Sequence, residues 1–157
     1  MTSKEIKIVY LEYEHLEQLV PQDRVLAEAA IEATQGSYAP YSGFNVGAAL
    51  RLDNGEIIKG ANQENAAYPS GLCAERTALF YAGANRPDKA VTAIAIAAIH
   101  NGKLCDSPAT PCGSCRQVMA QTQLRGGAPM KVILVGASRI WIFEKVDDLL
   151  PLIFDSI

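Results

Sequence analysis

Three of the four cysteines fall in two short segments, and these segments restrict the fold more than any other feature of the chain. The first segment is Cys73-Ala74-Glu75-Arg76, and the second contains Cys112 and Cys115. Three thiolates can bind one Zn²⁺ and leave the fourth tetrahedral position open, which is typical of a catalytic rather than a structural zinc. The fold must then bring Cys73 next to Cys112 and Cys115.

Glu75 follows Cys73 by two residues, so its carboxylate is a candidate for proton transfer at such a site. A positioned carboxylate can take a proton from water and pass it to a substrate. Arg76 could donate hydrogen bonds to a thiolate and withdraw charge from it. Helices that begin at Cys73 and near Cys112 would also point backbone N–H groups at the sulfurs.

A closed structural zinc site and a redox dithiol are the alternative interpretations of the same cysteines. Cys112 and Cys115 form a C-x-x-C pair, which in an intracellular chain can be a redox dithiol or half of a zinc knuckle. Cys105 lies seven residues before Cys112 and could supply a fourth ligand. Structural sites usually pair two short knuckles, whereas Cys73 has no cysteine near it in sequence. We therefore expect Cys105 to be buried and inert.

Length and charge narrow the class of protein. A chain of 157 residues with 49% hydrophobic residues fits one domain with a single core. The net charge is −3 and no Lys/Arg cluster appears, so a nucleic-acid partner is not expected. The apolar run at 90–99 is too short to span a bilayer. Residues 1–5 have no apolar core of a signal peptide, which predicts a cytoplasmic protein whose cysteines are free or metal-bound.

The pattern of apolar residues predicts an α/β fold, namely a three-layer α/β/α sandwich with a mixed five-stranded sheet. Residues 1–20 are interpreted as an N-terminal extension and residues 21–157 as a single catalytic domain. The extension holds a short edge strand at 6–11, or else an ordered arm that packs on a neighbouring subunit. Strands are predicted at 44–52, 56–61, 90–99, 131–135 and 140–143, and helices at 21–34, 73–84, 112–124 and 146–154.

Five segments in the same order resemble the cytidine deaminase family, and in particular its small homotetrameric branch with three zinc-binding cysteines. The resemblance covers about 25–154. The segments are Tyr41-Ser42-Gly43-Phe44-Asn45-Val46-Gly47-Ala48-Ala49, Asn62-Gln63-Glu64-Asn65-Ala66-Ala67-Tyr68, Cys73-Ala74-Glu75-Arg76, Pro111-Cys112-Gly113-Ser114-Cys115-Arg116-Gln117 and Leu149-Leu150-Pro151-Leu152-Ile153-Phe154.

The resemblance implies a zinc-dependent enzyme that hydrolytically deaminates cytidine and 2′-deoxycytidine to uridine and 2′-deoxyuridine, with release of ammonia, in pyrimidine salvage. One zinc per subunit would be held by Cys73, Cys112 and Cys115. Glu75 would move protons from water to N3 of the pyrimidine and to the departing ammonia. Another amine substrate, such as a nucleoside antibiotic, is the alternative within the same class. A non-catalytic zinc-stabilised binding module that uses Cys105 is the alternative from another class.

The resemblance also implies how substrate binds. Asn62 and Glu64 would hold the ribose 3′-hydroxyl, the Ala66 backbone would reach the base, and Phe44 and Phe154 would pack on the base. Phe154 would come from a neighbouring subunit, because the family places its active sites at the interfaces of a homotetramer. The alternative interpretations are a polar loop that bonds its own backbone for Asn62 and Glu64, and ordinary core packing for the two phenylalanines.

Several residues have weaker assignments. Leu152 and Ile153 stand where the family commonly has Gly-Ala, which affects the placement of the tail that carries Phe154. Arg116 and Gln117 are interpreted as a solvated helix face, or as residues that contact the ligands or another subunit. His15 and His100 are not candidate ligands, because no pattern places them near the zinc helices.

Overall fold

The computed structural model describes residues 1–155 and contains one sheet of seven strands with three α-helices. Strands in chain order are β1 (Leu11–Tyr13), β2 (Phe44–Leu52), β3 (Ile57–Ala61), β4 (Val91–His100), β5 (Lys103–Leu104), β6 (Lys131–Val135) and β7 (Ile140–Phe143). The helices are α1 (Pro21–Ala33), α2 (Ala74–Asn85) and α3 (Gly113–Gly126). No helix in this part of the chain is long and apolar enough to cross a membrane.

The sheet is mixed, as predicted. Its strand order is β1-β7-β6-β4-β2-β3, and β5 pairs with the end of β4. The β4–β6 pair is parallel and α3 connects the two strands, whereas the other pairs are antiparallel. The predicted count of five strands is wrong, because two short strands, β1 and β5, extend the sheet to seven.

Helices cover both faces of the sheet and confirm the three-layer sandwich. Helices α2 and α3 pack on one face with Leu50, Ile94 and Ile96. Helix α1 packs on the other face, where small residues of β4 such as Ala95 leave room for it. Strand β4 is thus buried on both sides, which is why its residues 93–99 are continuously apolar.

The two ends of the chain differ from the predictions. The first strand lies at Leu11–Tyr13 and not at 6–11. It is placed there because Tyr10 packs on Trp141 and Phe143, with ring centroids 5.5 and 5.2 Å away, while Ile6 and Ile8 stay exposed. The boundary between an extension at 1–20 and a domain at 21–157 stays a prediction, although Leu19 already contributes to the core.

The predicted last helix at 146–154 is wrong. Only a single 3₁₀ turn forms, at Val146–Asp148, and no helix follows it up to residue 155. Pro151 has no N–H to donate to a helical carbonyl, and it disfavours helical backbone in the residue before it. The following tail is instead held by side chains of α3, as described below.

Gly47 marks the point where α1 lies directly on β2. A Cβ atom at this position would come 2.2 Å from the Ala30 carbonyl oxygen and 2.5 Å from the Thr34 nitrogen. We expect Gly47→Ala to lower the free energy of unfolding by about 3 kcal/mol, because both neighbours are backbone atoms that cannot turn away. Urea unfolding followed by circular dichroism measures this loss.

Gly36→Ala is the matched control for Gly47. A Cβ at Gly36 would have its nearest neighbour, the Ala61 Cβ, at an ordinary contact distance of 3.6 Å. The free energy of unfolding of this variant should lie within about 1 kcal/mol of the wild-type value. Equal midpoints for the two variants would contradict the close packing of α1 on β2.

Candidate active site

The three candidate zinc ligands meet at one edge of the sheet. Strands β3 and β4 both run antiparallel to β2, so their carboxyl ends lie at the same edge. Each strand leads into a loop and then into a helix, α2 or α3. Cys73 directly precedes α2, Cys112 directly precedes α3, and Cys115 lies in the first turn of α3. The fold therefore brings together cysteines that lie 39 positions apart in sequence.

The geometry of the sulfurs fits a zinc ion. The Sγ atoms of Cys73, Cys112 and Cys115 all lie within 4.8 Å of one another, and those of Cys73 and Cys112 are 4.0 Å apart. A Zn–S bond of about 2.3 Å in tetrahedral geometry separates two sulfurs by about 3.8 Å. Three thiols at this spacing can hold the metal and leave its fourth position open.

Cys105 is not a member of this cluster, which comprises three cysteines among the residues at 1–155. Its backbone continues the β4–β5 hairpin, since its N–H donates to Ala98 and its carbonyl accepts from Ala137. The side chain is only partly buried, in contrast to the full burial expected from the sequence. This position argues against a closed four-cysteine zinc site.

Hydrogen bonds favour the thiolate form at Cys73. The pKa of Cys73 is lowered to about 5, mainly by a hydrogen bond from Cys115 and also by Arg76 and Cys112, against the opposing effect of burial. The same hydrogen bond raises the pKa of the Cys115 thiol, and burial adds to that rise. Arg76 Nη2 lies 3.6 Å from Cys73 Sγ, where it can donate to the sulfur and withdraw charge from it.

Glu75 is the buried carboxyl group beside the cluster. Glu75 as a whole is 4% exposed. Burial raises the pKa of this carboxyl, and the nearby charge of Cys73 raises it further. A carboxyl group whose pKa is raised towards neutrality can both accept and return a proton, as a general acid–base group must.

A cavity of 300 Å³ brings Glu75 together with two of the three candidate zinc ligands and with three of the candidate substrate-binding residues, and we call it the reaction cavity. Its lining includes Cys73, Glu75, Cys112, Phe44, Asn62 and Glu64. A second cavity of 540 Å³ adjoins it, shares Cys73, Asn62 and Glu64, and is also lined by Tyr68 and Arg76. We place the chemistry in the smaller cavity, because its lining includes Glu75.

Asn62 holds the backbone at the start of β2, and Glu64 holds the turn before it. Asn62 Oδ1 accepts from Val46 N at 2.8 Å, and its Nδ2 donates to Phe44 O at 2.9 Å. Glu64 accepts from the Tyr41 and Ser42 backbone N–H groups and from the Ser42 hydroxyl. The interpretation of a polar loop that bonds backbone therefore describes part of what these residues do.

Both side chains keep capacity for a ligand. An amide NH₂ group has two protons and a carboxylate has about four acceptor positions, so one N–H of Asn62 and a lone pair of Glu64 can still face the cavity. The Ser42 hydroxyl, followed by the Tyr41 N–H, lowers the pKa of Glu64 below its usual range. Glu64 is therefore an ionised acceptor at neutral pH.

Of the remaining candidate residues, Phe44 is at the reaction cavity, whereas Ala66 and Phe154 are not among the residues that line it. Phe44 is 36% exposed and lines the reaction cavity. Ala66 is exposed in the loop that follows Glu64. Phe154 is 67% exposed, so ordinary core packing within its own chain does not describe it.

Arg116 and Gln117 connect α3 to the C-terminal tail, a role that the sequence analysis missed. Arg116 donates to the carbonyls of Pro111 and Leu149, at 2.8 and 3.0 Å. The Gln117 side chain both donates to Phe154 O and accepts from Phe154 N. Their position directly after Cys115 was the signal that could have indicated more than a solvated helix face.

An α/β/α sandwich in which two helices direct thiolates to one open metal position, with a buried carboxyl group in the same cavity, defines a zinc-dependent hydrolytic enzyme. Comparison with known proteins then gives the family. A model described as the cytidine and deoxycytidylate deaminase zinc-binding region matches residues 20–127. The chain belongs to the cytidine and deoxycytidylate deaminase family. This membership confirms the resemblance seen in the sequence, and it also confirms the predicted zinc cofactor.

Individual relatives agree with the family match. A cytidine deaminase of Halalkalibacterium halodurans is 50% identical over 99 residues, which cover 62% of this chain and 70% of that relative. The crystal structure of cytidine deaminase from Burkholderia pseudomallei has a TM-score of 0.69 and 40% identity, and the match covers 83% of this chain and 97% of that chain. The corresponding structure from Mycobacterium tuberculosis has a TM-score of 0.66 and 32% identity, covering 87% and 99% of the two chains.

Proposed function

We propose that this protein hydrolyses cytidine and 2′-deoxycytidine to uridine and 2′-deoxyuridine and releases ammonia. The observation that carries the proposal is the three-thiol cluster, two of whose cysteines, Cys73 and Cys112, line the same cavity as the buried residue Glu75. The relatives named cytidine deaminase support the choice of substrate, because one of them is 50% identical to this chain.

In the proposed reaction, Glu75 moves the protons. Cys73, Cys112 and Cys115 would hold the zinc, which would act as a Lewis acid and make water nucleophilic at neutral pH. Glu75 takes a proton from the attacking water and donates it to N3 of the pyrimidine. When the bond from C4 to the amino nitrogen breaks, Glu75 transfers the second proton of the water to the departing ammonia. Burial of Glu75 favours its protonated form, so the carboxyl group can hold a proton between these steps.

The groups around the reaction cavity orient the nucleoside. We assign the ribose 3′-hydroxyl to the free N–H of Asn62 and the ionised carboxylate of Glu64. The Ala66 backbone reaches the base and Phe44 packs on it. Because Asn62 and Glu64 are already fixed by backbone contacts, they bind the hydroxyl without losing much conformational freedom.

Contact with the 3′-hydroxyl predicts how the enzyme discriminates among nucleosides. We expect 3′-deoxycytidine to have a kcat/KM about 10- to 100-fold below that of cytidine, because Asn62 and Glu64 lose a partner. The matched comparison is 2′-deoxycytidine, which keeps the 3′-hydroxyl and should be processed within about tenfold of cytidine. Initial rates at several concentrations of each nucleoside measure this, and equal values for the 2′- and 3′-deoxy compounds would remove the assignment.

A homotetramer with active sites at the subunit interfaces is part of the proposal, with Phe154 contributed to a neighbouring site. Large apolar side chains on the surface of one chain support it, namely Tyr68, Phe80, Tyr81 and Phe154, which are 52–75% exposed. Sedimentation equilibrium should give a mass of about four chains. A monomeric protein that is fully active would exclude the shared site.

We further propose that the enzyme acts in the cytoplasm, in pyrimidine salvage. The support is chemical, since the metal requires three reduced thiolates and a reducing compartment maintains them.

The reaction is tested directly with purified, zinc-loaded protein. The absorbance difference between cytidine and uridine should disappear with time, and ammonia should appear in equal amount. If neither cytidine nor 2′-deoxycytidine is consumed at full zinc occupancy, the proposed function fails, and a panel of other pyrimidine amines then defines the substrate.

A further inference from the structure

We propose that His100 is a positioning residue that fixes the ring of Phe44 at the edge of the reaction cavity and thereby strengthens nucleoside binding. The inference rests on the proposed function, because it concerns the substrate of that same cavity. It assigns a role to a histidine that the sequence analysis had set aside.

His100 contacts Phe44 across the sheet. Phe44 is the first residue of β2 and His100 is the last residue of β4, and the two are paired directly in the antiparallel register. Their ring centroids are 6.0 Å apart, with an angle of 48° between the ring planes. This distance and tilt lie within the range of favourable aromatic pairs. Of these two residues, Phe44 is the one that lines the cavity.

His100 also contacts the backbone next to Phe44. Its Nδ1 lies 3.2 Å from the Gly43 carbonyl oxygen and donates to it when the proton is on Nδ1. Gly43 has a φ of +64°, in the left-handed region that glycine adopts most easily. His100 therefore restrains both the ring of Phe44 and the turn at Gly43 that directly precedes it.

The other hydrogen bonds of Phe44 restrain its backbone and not its ring. The Phe44 N–H donates to Ser42 Oγ at 3.0 Å, and its carbonyl accepts from Asn62 Nδ2 at 2.9 Å. Both bonds fix the backbone and neither fixes the rotation of the side chain. Because Phe44 is 36% exposed, an unrestrained ring would lose rotational freedom on binding a base. A ring that is already held avoids that cost.

His100 itself stands on a rigid support. Asn101 and Gly102 have φ values of +51° and +73° and close the two-residue turn between β4 and β5. Two residues of positive φ between paired strands match the preferred hairpin turn. The residues before His100 belong to β4, in which seven of the ten residues are buried. His100 is therefore held in place by a largely buried strand on one side and by a tight turn on the other.

Variants at His100 can separate its two contacts. His100→Ala removes both contacts, His100→Phe keeps a ring but no donor, and His100→Asn keeps a donor near the Nδ1 position but no ring. Lys103→Ala is the matched control, because Lys103 is the exposed partner of His100 in the same hairpin and has no contact with Phe44 in the register.

Two readouts are required, namely steady-state kinetics with cytidine and equilibrium binding of uridine measured by titration calorimetry. We expect His100→Ala to raise both KM and the uridine Kd about three- to tenfold, with kcat within about twofold of the wild type. His100→Phe and His100→Asn should each recover part of the loss, and Lys103→Ala should match the wild type. In a Phe44→Leu background, His100→Ala should have less than half of its effect, because it acts through that ring.

Values for His100→Ala that match those of Lys103→Ala would overturn the inference. So would a purely structural role, seen as a lower unfolding midpoint with unchanged KM and Kd in the fraction that stays folded. If His100→Ala does not fold, the Phe and Asn variants decide the question, since each retains one contact. A wild-type protein that does not consume cytidine contradicts the proposed function. An active wild type whose KM and uridine Kd are unchanged by His100→Ala contradicts this inference alone.

Discussion

Glu75→Gln is expected to lower kcat for cytidine by about a thousandfold while the protein keeps its zinc. Glutamine has nearly the same shape as glutamate and fills the same buried space, but its amide cannot accept and return a proton. Because Glu75 is 4% exposed, bulk water cannot easily substitute for it. The carboxyl group is not one of the three clustered sulfur ligands, so metal content should stay unchanged.

Rates for Glu75→Gln should be measured together with the zinc content and with uridine affinity. Glu144→Gln is the control, because it makes the same chemical change at an exposed position. We expect the control to be fully active and Glu75→Gln to bind uridine within about tenfold of the wild type. A zinc-loaded Glu75→Gln protein with turnover within about tenfold of the wild type would show that another group moves the protons.

Replacing any one of the three clustered cysteines should remove the zinc and, with it, all turnover. Cys115→Ser is the sharpest case, since Cys115 is fully buried at the start of α3 and its sulfur lies within 4.8 Å of the other two. A serine hydroxyl is a much weaker zinc ligand than a thiolate. Zinc binding to structural sites in peptides has an apparent free energy of about 10–16 kcal/mol. Removing one of three ligands should therefore lower the zinc-binding free energy by a large amount.

Cys105→Ser is the matched control, because it removes the one cysteine outside the cluster. After dialysis against a chelator, the wild type and Cys105→Ser should retain about one zinc per chain, and Cys115→Ser should retain almost none. Metal analysis and the unfolding midpoint measure the effect, since a ligand bound to the native state stabilises it. If Cys105→Ser also lost its zinc, the site would be a closed four-cysteine site and the catalytic interpretation would fail.

Several elements were predictable from the sequence because their signals are local. The strands Lys131–Val135 and Ile140–Phe143 have the predicted bounds, and α1 ends within one residue of its prediction. Strand pattern, helix periodicity and turn residues each depend on neighbours in the chain. The cysteine cluster was also predictable, because the motifs around Cys73 and Cys112, taken together, fit an open site of three thiolates.

The ends of the chain were not predictable in the same way, because distant side chains compete there with local preference. The segment at 6–11 has strand-like alternation, yet pairing begins at Leu11, where Tyr10 meets Trp141 and Phe143. In the tail, Arg116 and Gln117 bond the backbone of Leu149 and Phe154 and replace the hydrogen bonds of the predicted helix. No local pattern encodes such contacts.

The sequence by itself determined the class of fold, the three cysteines that cluster, the adjacent carboxyl group and the family, since these depend on residue types at short and regular spacings. Only the tertiary structure decided that Asn62 holds the start of β2, that Glu64 holds the turn before it, and that His100 lies against Phe44. The physical reason is strand register. Phe44 and His100 are 56 positions apart, and they meet only because β2 and β4 pair with one particular alignment.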